Sequence, residues 1–413
     1  MTTMAKWRKD SNPDEVASRL EAAKDVSVPG KASFFGFEYS ELVIVLGGMI
    51  EFAPAIPELE RQKILSKATF DAGGKGEITP TLLLQSCQKQ ETEYLRKPMT
   101  AFRLLTGVSL ASAHNLPSIR IGSSAITFNP KAQVARQHRA RLYDEAKLSL
   151  GFNLPMQYMD VSVTVKARSP FEGAQLALDA IDLARATWNL ALNRGKDWRI
   201  SSGRPRPVND ILLCPFHTMH NKDGSLATES WWYDPGYSGP AQQFTGREKI
   251  DRLFTFSKKL RTRLCQSAYS DELANSLVRY VRALDAADLN DAFLRLWGLL
   301  EYLTDSTFDP YKVAVRRAAF MFADRDYSVQ VLTHLMNHRN RFVHAGTDSA
   351  EIESLVYLLK RYVDALLMFH IGSTFKFESR ASAALFMDMP PSKSQIDERI
   401  RRLRHARKFV ATP

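Results

Sequence analysis

The chain has 413 residues, of which 45% are hydrophobic and 24% charged, and its formal net charge is +11. These fractions are ordinary for a globular protein, and the length allows two or three domains, each with its own core. Three cysteines (Cys87, Cys214 and Cys265) are too few and too widely spaced for a disulfide framework and suit a reducing compartment. No secretory signal opens the sequence, so a cytoplasmic location is expected.

Residues 1–140 mix helical stretches with Gly/Pro breaks, and their pattern does not predict a particular fold. The most apolar run, "LVIVLGGMI" at 42–50, lies between Glu41 and Glu51. A run this short cannot cross a bilayer. We therefore predict a buried segment there and no association with a membrane.

Residues 141–240 are predicted to form a small α+β domain. Alternation at 157–168 places Val161, Val163 and Val165 on one face of a half-buried strand. Ser169 and Pro170 then suit the cap and first position of a helix. Two further strands, "DILLCPF" and "SLATESWWYD", are predicted on either side of an Asp-Gly hairpin turn.

The segment "CPFHTMH", between the first of these strands and the turn, carries Cys214, His217 and His220, whose side chains could ligate zinc. A strand, however, points residues 217 and 220 to opposite faces, and no second Cys/His pair lies nearby in the sequence. We therefore interpret them as ordinary residues of the hairpin and predict neither a metal ion nor a cofactor.

Residues 241–375 read as successive helices. One of them carries a continuous apolar face with Glu301 at its edge; the apolar residues are Phe293, Leu296, Trp297, Leu300 and Leu303. A later helix contains "LMNHRNRFVHAG" and is expected to end at Gly346. The last long helix is expected to be capped by Ser349.

Arg339 interrupts an apolar stripe on that later helix. On a helix of about 100° per residue, the apolar residues Leu332, Leu335, Met336, Phe342 and Val343 all lie within about 60° of it. A guanidinium in the centre of a buried stripe costs several kcal/mol unless it is paired or opens on a cleft. Two interpretations remain: a buried Arg339–Glu301 pair, or a site at an open seam between helices.

An arginine with a nearby histidine favours phosphate chemistry. Arginine binds a phosphate through two N–H groups and stabilises charge that develops on it. Histidine titrates near neutral pH and can accept or donate a proton. Without metal ligands, this pair fits RNA cleavage by the neighbouring 2′-hydroxyl. That reaction needs both a base and an acid, so a site with residues from two chains is attractive.

The segment "RNRFVH" resembles the Rx4–6H motif of HEPN-domain ribonucleases, with Arg339, Asn340 and His344 at the motif positions. The resemblance covers residues 245–375 and is greatest to the ApeA-like branch, through "RYVRALDAADLND" and "LWGLLEYL". It implies a C-terminal HEPN helical bundle and a metal-independent endoribonuclease that dimerises, of a kind that often serves as a toxin or an antiviral defence effector.

The resemblance also implies roles for the site residues. Arg339 would bind the scissile phosphate, and His344 would act as general acid or base. Asn340 would bind substrate or orient the site, and Glu301 would position Arg339. Because the family includes members that only bind, a non-catalytic module for dimerisation or for nucleotide or RNA binding is the alternative. Residues 1–240 have no counterpart in the resemblance, and we expect them to sense a trigger, such as a phage-derived ligand, or to bind a partner.

The tail, residues 376–413, is basic. Its last part carries seven Lys or Arg side chains against Asp397 and Glu398: Lys393, Arg399, Arg401, Arg402, Arg404, Arg407 and Lys408. Helical spacing predicts Ile396, Ile400, Leu403 and Val410 on one side. Basic clusters of this kind attract polyanions, of which nucleic acid is the commonest.

Overall fold

The computed structural model describes residues 4–28, 31–34, 37–111, 116–151, 158–196, 207–234, 243–345 and 351–410. Within these ranges the chain forms fourteen α-helices and a six-stranded antiparallel sheet. The prediction of a mainly α chain with an α+β part is therefore confirmed. No helix in the same ranges is both long enough and apolar enough to cross a membrane.

Residues 4–95 form a helical unit with its own core. Its elements are β1 (Lys6–Trp7), α1 (Pro13–Ala22), β2 (Lys24–Val28), β3 (Lys31–Phe34), α2 (Phe37–Met49), β4 (Ile50–Glu51), α3 (Glu58–Lys75) and α4 (Pro80–Leu95). A buried carboxylate holds the unit together: Glu91 on α4 accepts hydrogen bonds from the backbone N–H groups of Ala5 (2.5 Å) and Ala53 (2.8 Å). These bonds satisfy two backbone donors that would otherwise be buried unpaired.

The apolar run at 42–50 is only partly buried, contrary to the prediction. Leu42, Leu46 and Ile50 are in the core, whereas Ile44 is 72% exposed and Val45 is 43% exposed. All of the run except Ile50 belongs to α2, which packs one side on α3 and leaves its other side, which is also apolar, uncovered by the described residues.

The sheet lies in the middle of the chain. Its strands are β5 (Thr100–Val108), β6 (Ile119–Ile121), β7 (Ser124–Phe128), β8 (Met159–Ala167), β9 (Phe216–Asn221) and β10 (Leu226–Tyr233), in the order β10-β9-β5-β8-β7-β6. Helices α5 (Gln133–Leu150) and α6 (Pro170–Asn193) accompany it. The sheet takes strands from both sides of residue 140, where the sequence analysis divides the chain, because β5 pairs with β8 along its whole length.

Several local predictions are confirmed here. Strand β8 buries Val161, Val163 and Val165, and the Ser169 hydroxyl caps α6 by accepting a hydrogen bond from Glu172 N (3.1 Å). The β9–β10 hairpin turns at Gly224, whose φ of +95° lies in the region that favours glycine. The strand predicted at "DILLCPF" is displaced, because β9 starts only at Phe216, after Pro215; proline has no N–H to donate to a strand ladder.

The regular elements of the C-terminal part are all helices within the described residues. Its helices are α7 (Arg247–Cys265), α8 (Ser270–Asp285), α9 (Leu289–Leu303), α10 (Tyr311–Ala319), α11 (Arg325–Ala345), α12 (Ile352–Gly372), α13 (Arg380–Met387) and α14 (Lys393–Ala406), followed by a 3-10 turn (Arg407–Phe409). Helix α13 buries Ala383, Ala384 and Met387 in the same core as α8, α9 and α12. The predicted tail therefore divides into a packed helix and an exposed one.

Helix α6 joins the sheet to the helical part through buried polar bonds. Arg185, 1% exposed, donates to Asp182 on the same helix (2.6 Å) and to Asp285 at the end of α8 (2.8 Å). Lys360 on α12 donates to the backbone oxygen of Asn193 (2.6 Å) and to Asp364 (2.9 Å). Each buried cation is thus paired, which offsets the cost of its desolvation.

Candidate functional site

Helix α11 carries the candidate motif and leaves the core towards its C-terminus. Leu332 and Leu335 are fully buried, Met336 and Phe342 are half-buried, and Val343 is 48% exposed. The sequence analysis places Arg339 in the centre of the apolar stripe and leaves two interpretations open, a buried Arg339–Glu301 pair or a site at an open seam between helices. Arg339 is half-buried at the point where the helix emerges from the core, so its guanidinium does not bear the full cost of desolvation.

The Arg339 side chain is held by an aromatic ring and an amide. Its guanidinium lies 4.7 Å from the centre of the Tyr311 ring on α10, a cation–π contact. Its Nη1 donates to the side-chain oxygen of Asn340 (3.3 Å). No carboxylate of the described residues comes within 4.0 Å of it, so its positive charge is not neutralised by an ion pair.

Glu301, the expected partner of Arg339, is bonded elsewhere. Its Oε1 accepts a hydrogen bond from the indole N–H of Trp297, one turn earlier on α9 (2.7 Å). Burial raises the pKa of the Glu301 carboxyl above its usual value, although the Trp297 bond and the positive charge of Arg339 act in the opposite direction. Glu301 and Arg339 therefore interact through space without forming the buried pair that the sequence analysis considers.

Asn340 is half-buried beside Arg339, as the motif spacing predicts. His344 belongs to α11 by its backbone, but its side chain lies outside the described residues, as do Gly346 and Ser349, the expected helix end and cap. On an α-helix, residues 340 and 344 are neighbours one turn apart. Arg339, Asn340 and Glu301 thus lie together, and the position of the His344 imidazole is not part of the described site.

His338, the residue before Arg339, is a buried histidine that the sequence analysis does not single out. It is 3% exposed, its ring packs edge-on against Phe293 (centroids 4.9 Å apart), and its Nε2 has no hydrogen-bond partner among the described residues. Burial lowers the pKa of His338, with smaller contributions from Arg341 and His334. The sequence does indicate that His338 is buried, because it lies three residues after Leu335 and therefore on the face of α11 that packs against α9.

Cys214, His217 and His220 are buried in and beside the sheet. Thr106 shares a hydrogen bond with His217 Nδ1 (2.8 Å), and Thr218 shares one with His220 Nε2 (2.9 Å). Burial lowers the pKa of His217 to about 3 and that of His220 to about 4. In the described parts of the chain, no three His, Cys, Asp or Glu side chains converge as a metal ion would require.

Comparison with known proteins adds no relative. No family model matches the chain, and neither the curated proteins nor the solved structures contain a significant match.

Proposed function

We propose that this protein is a metal-independent endoribonuclease of the HEPN type and that it acts as a defence or toxin effector. The observation that supports this most is the uncompensated charge of Arg339. A half-buried guanidinium with an aromatic ring beneath it, and with no ion pair among the described residues, is a suitable ligand for a phosphate. The Rx4H segment supplies Asn340 and His344 on the same helix.

The proposed reaction is a transesterification at one phosphate of RNA. The 2′-oxygen attacks the adjacent phosphorus while a base takes its proton, and the bond to the 5′-oxygen breaks as an acid donates a proton to that oxygen. The products are a 2′,3′-cyclic phosphate and a free 5′-hydroxyl. His344 acts as one of these proton carriers, and the second is His344 of another copy of the chain.

Arg339 binds the non-bridging phosphate oxygens and stabilises the charge that grows on them. Asn340 limits the rotation of the Arg339 guanidinium through their hydrogen bond. Trp297 keeps the Glu301 carboxylate bonded away from Arg339. Glu301 therefore moderates the repulsion between cationic groups while leaving Arg339 free for the phosphate.

The other parts of the chain complete the proposal. The protein works as a homodimer or a higher oligomer in the cytoplasm, and residues 1–240 respond to a trigger such as a phage-derived ligand. The alternative is a non-catalytic module that dimerises or binds a nucleotide or RNA. The contact between Tyr311 and Arg339 favours this alternative, because a ring that supports the guanidinium also suits a purely structural role for the arginine.

The test is to incubate the purified chain with total RNA and EDTA and to map the ends of the cut RNA. Cyclic phosphate ends are expected in the presence of the chelator. His344→Ala should lower the cleavage rate by roughly 10²- to 10⁴-fold, because an acid–base catalyst contributes about that much. Arg339→Ala should cause a loss of similar size, since it removes the charge that stabilises the phosphorane.

Matched controls lie on the same helix. His334→Ala and Arg341→Ala remove the same groups from exposed positions and should cut RNA normally. Each variant should unfold at the same denaturant concentration as the wild type. If His344→Ala cuts normally, or the wild type binds RNA without cutting it, the alternative module replaces the nuclease.

A further inference from the structure

Residues 393–410 form a C-terminal arm that the described part of the chain does not bury. The arm consists of α14, the 3-10 turn and Val410, and no side chain of α14 or of the turn is buried. Ile400 is 40% exposed, Leu403 62% and Phe409 79%. A helix this exposed gains little stability from packing on its own chain, so its sequence serves another contact.

The arm concentrates positive charge. It carries the seven cations of the tail. Of these seven, Arg402 alone forms an ion pair within the described residues, and its partner is Glu398. Six cations therefore lack a carboxylate partner within 4.0 Å in the described structure. Charge complementarity requires an anionic partner, and it opposes pairing with a second copy of the same helix, because both copies are strongly positive.

The positions of the cations around the helix favour a nucleic acid over a bilayer as the anionic partner of the arm. Ile396, Ile400 and Leu403 form a narrow stripe, and Arg407 follows in the same direction, within about 20° of its middle on an ideal helix. The backbone at Arg407 keeps helical angles (φ −52°, ψ −28°). A helix lying on a membrane would press this guanidinium towards the lipid chains, whereas a phosphate backbone can use a cation on any side.

An aromatic pair lies among these cations. The His405 ring packs against the Phe409 ring (centroids 5.3 Å apart), and most of the Phe409 side chain is open to solvent. Exposed rings beside arginines are the features with which proteins bind single strands: cations follow the backbone, and rings stack on unpaired bases.

We propose that the C-terminal arm binds single-stranded RNA without reading its sequence. This proposal rests on the proposed function in taking RNA as the substrate. The cations bind phosphates, and Phe409 stacks on a base. The arm contributes affinity and no chemistry.

The experiment measures binding of the full-length wild type to a fluorescent 2′-O-methyl uridine oligomer about 15 nucleotides long. Without a 2′-hydroxyl, this probe cannot be cut by the proposed reaction. The triple variant Arg401→Gln, Arg404→Gln, Lys408→Gln should bind more weakly, and the slope of log K against log[salt] should fall by about 2, since each single-strand phosphate contact contributes about 0.7.

The matched control removes three exposed cations from the first hundred residues of the chain: Lys9→Gln, Lys67→Gln and Arg96→Gln. It changes the net charge equally and should leave the slope unchanged. Phe409→Ser should weaken binding at least fivefold at every salt concentration, because stacking depends little on salt. An unchanged slope in the arm variant, or equal slopes in the arm variant and the control, overturns the proposal.

Two further measurements keep the outcomes apart. Flotation with vesicles of 70% phosphatidylcholine and 30% phosphatidylglycerol tests the bilayer, and arm-dependent flotation with an unchanged RNA slope would assign the arm to lipid instead. Cleavage of ordinary RNA tests the nuclease separately. If the slope of log K against log[salt] falls in the arm variant while the wild type cuts no RNA, the arm proposal stands and the proposed function fails. If the slope is unchanged while the wild type cuts RNA, only the arm proposal is rejected.

Discussion

One aromatic ring supports Arg339 in its half-buried position. On the emerging part of α11, the Tyr311 ring replaces the carboxylate that a buried arginine would need, and it supports the guanidinium without neutralising it. The helical spacing predicts the direction of Arg339 from the helix axis correctly. It cannot predict the level at which α11 leaves the core, because that depends on where α9, α10 and α12 end.

Tyr311 should act as a positioning residue for Arg339. Tyr311→Leu should lower kcat/KM for RNA cleavage by roughly 2- to 30-fold, which corresponds to a cation–π contact of about 0.5–2 kcal/mol. Tyr311→Phe should retain activity because the ring remains. Stability should change little, since Tyr311 is 37% exposed. Tyr327→Leu is the control, at a 61% exposed position in the first turn of α11; equal losses in both Leu variants would refute a specific role.

Glu301 should destabilise the fold when it is ionised. Because burial raises its pKa in the folded chain, the unfolded chain releases this proton at a lower pH. Wild-type stability is therefore lost as the pH rises from the usual value of 4.5 through the raised pKa. Glu301→Gln should remove this loss and still accept the Trp297 bond. The difference in unfolding free energy should grow in favour of the variant across that window and be flat on either side, as measured by urea titration at several pH values.

At the scale of elements, some strands can be predicted from the sequence and others cannot. Strand β8 and helix α6 follow their periodicity and cap, so they could be predicted. Strand β9, "FHTMHN", is polar in composition but lies between β5 and β10 with every side chain except Asn221 buried. His217 shares a hydrogen bond with Thr106 on β5, whereas His220 bonds Thr218 and the backbone oxygen of Gly224 within the hairpin. A single sequence does not reveal the first partner, because Thr106 is far from His217 along the chain.

The buried histidines of β9 should make the sheet sensitive to acid. In the folded chain His217 stays neutral to a pH of about 3 and His220 to about 4. In the unfolded chain both bind protons below about 6.5. Folding stability is therefore lost as the pH falls below 6.5, with a slope approaching about 1.4 kcal/mol per pH unit for each histidine.

His217→Gln should lower the overall stability through its effect on packing. It should also reduce the slope of unfolding free energy against pH by about 1.4 kcal/mol per pH unit, the contribution of one histidine. Urea unfolding between pH 7 and the acid limit measures the slope directly. The control is His334→Gln, at an exposed position on α11, which should leave the slope as it is. A slope that His217→Gln does not change would mean that another group controls the acid response.

At the scale of the whole molecule, the uncovered end of α11 predicts a second copy of the chain. The apolar stripe continues past the core through Phe342 to Val343. It lies next to Arg339, which forms no ion pair with any side chain that the structure describes. A twofold contact would bury each stripe against its symmetry mate and bring the two motifs together, because an isologous interface repeats the same patch. The repulsion between the two Arg339 residues would then leave a cationic cleft that a phosphate neutralises.

Val343→Asn tests this arrangement, since the position is 48% exposed and the single chain should tolerate the change. A charged replacement is avoided because residue 343 is one turn from Arg339, and a carboxylate there could pair with the arginine. The variant should sediment as a monomer at micromolar concentration and lose RNA cleavage, because the interface would have to bury a polar amide in place of an apolar side chain. Leu148→Asn makes the same kind of change on α5, where Leu148 is 88% exposed, and should leave both mass and activity unaltered. A Val343→Asn chain that is monomeric yet fully active would show that one chain holds the complete site, and the second proton carrier would then have to come from another residue of that chain.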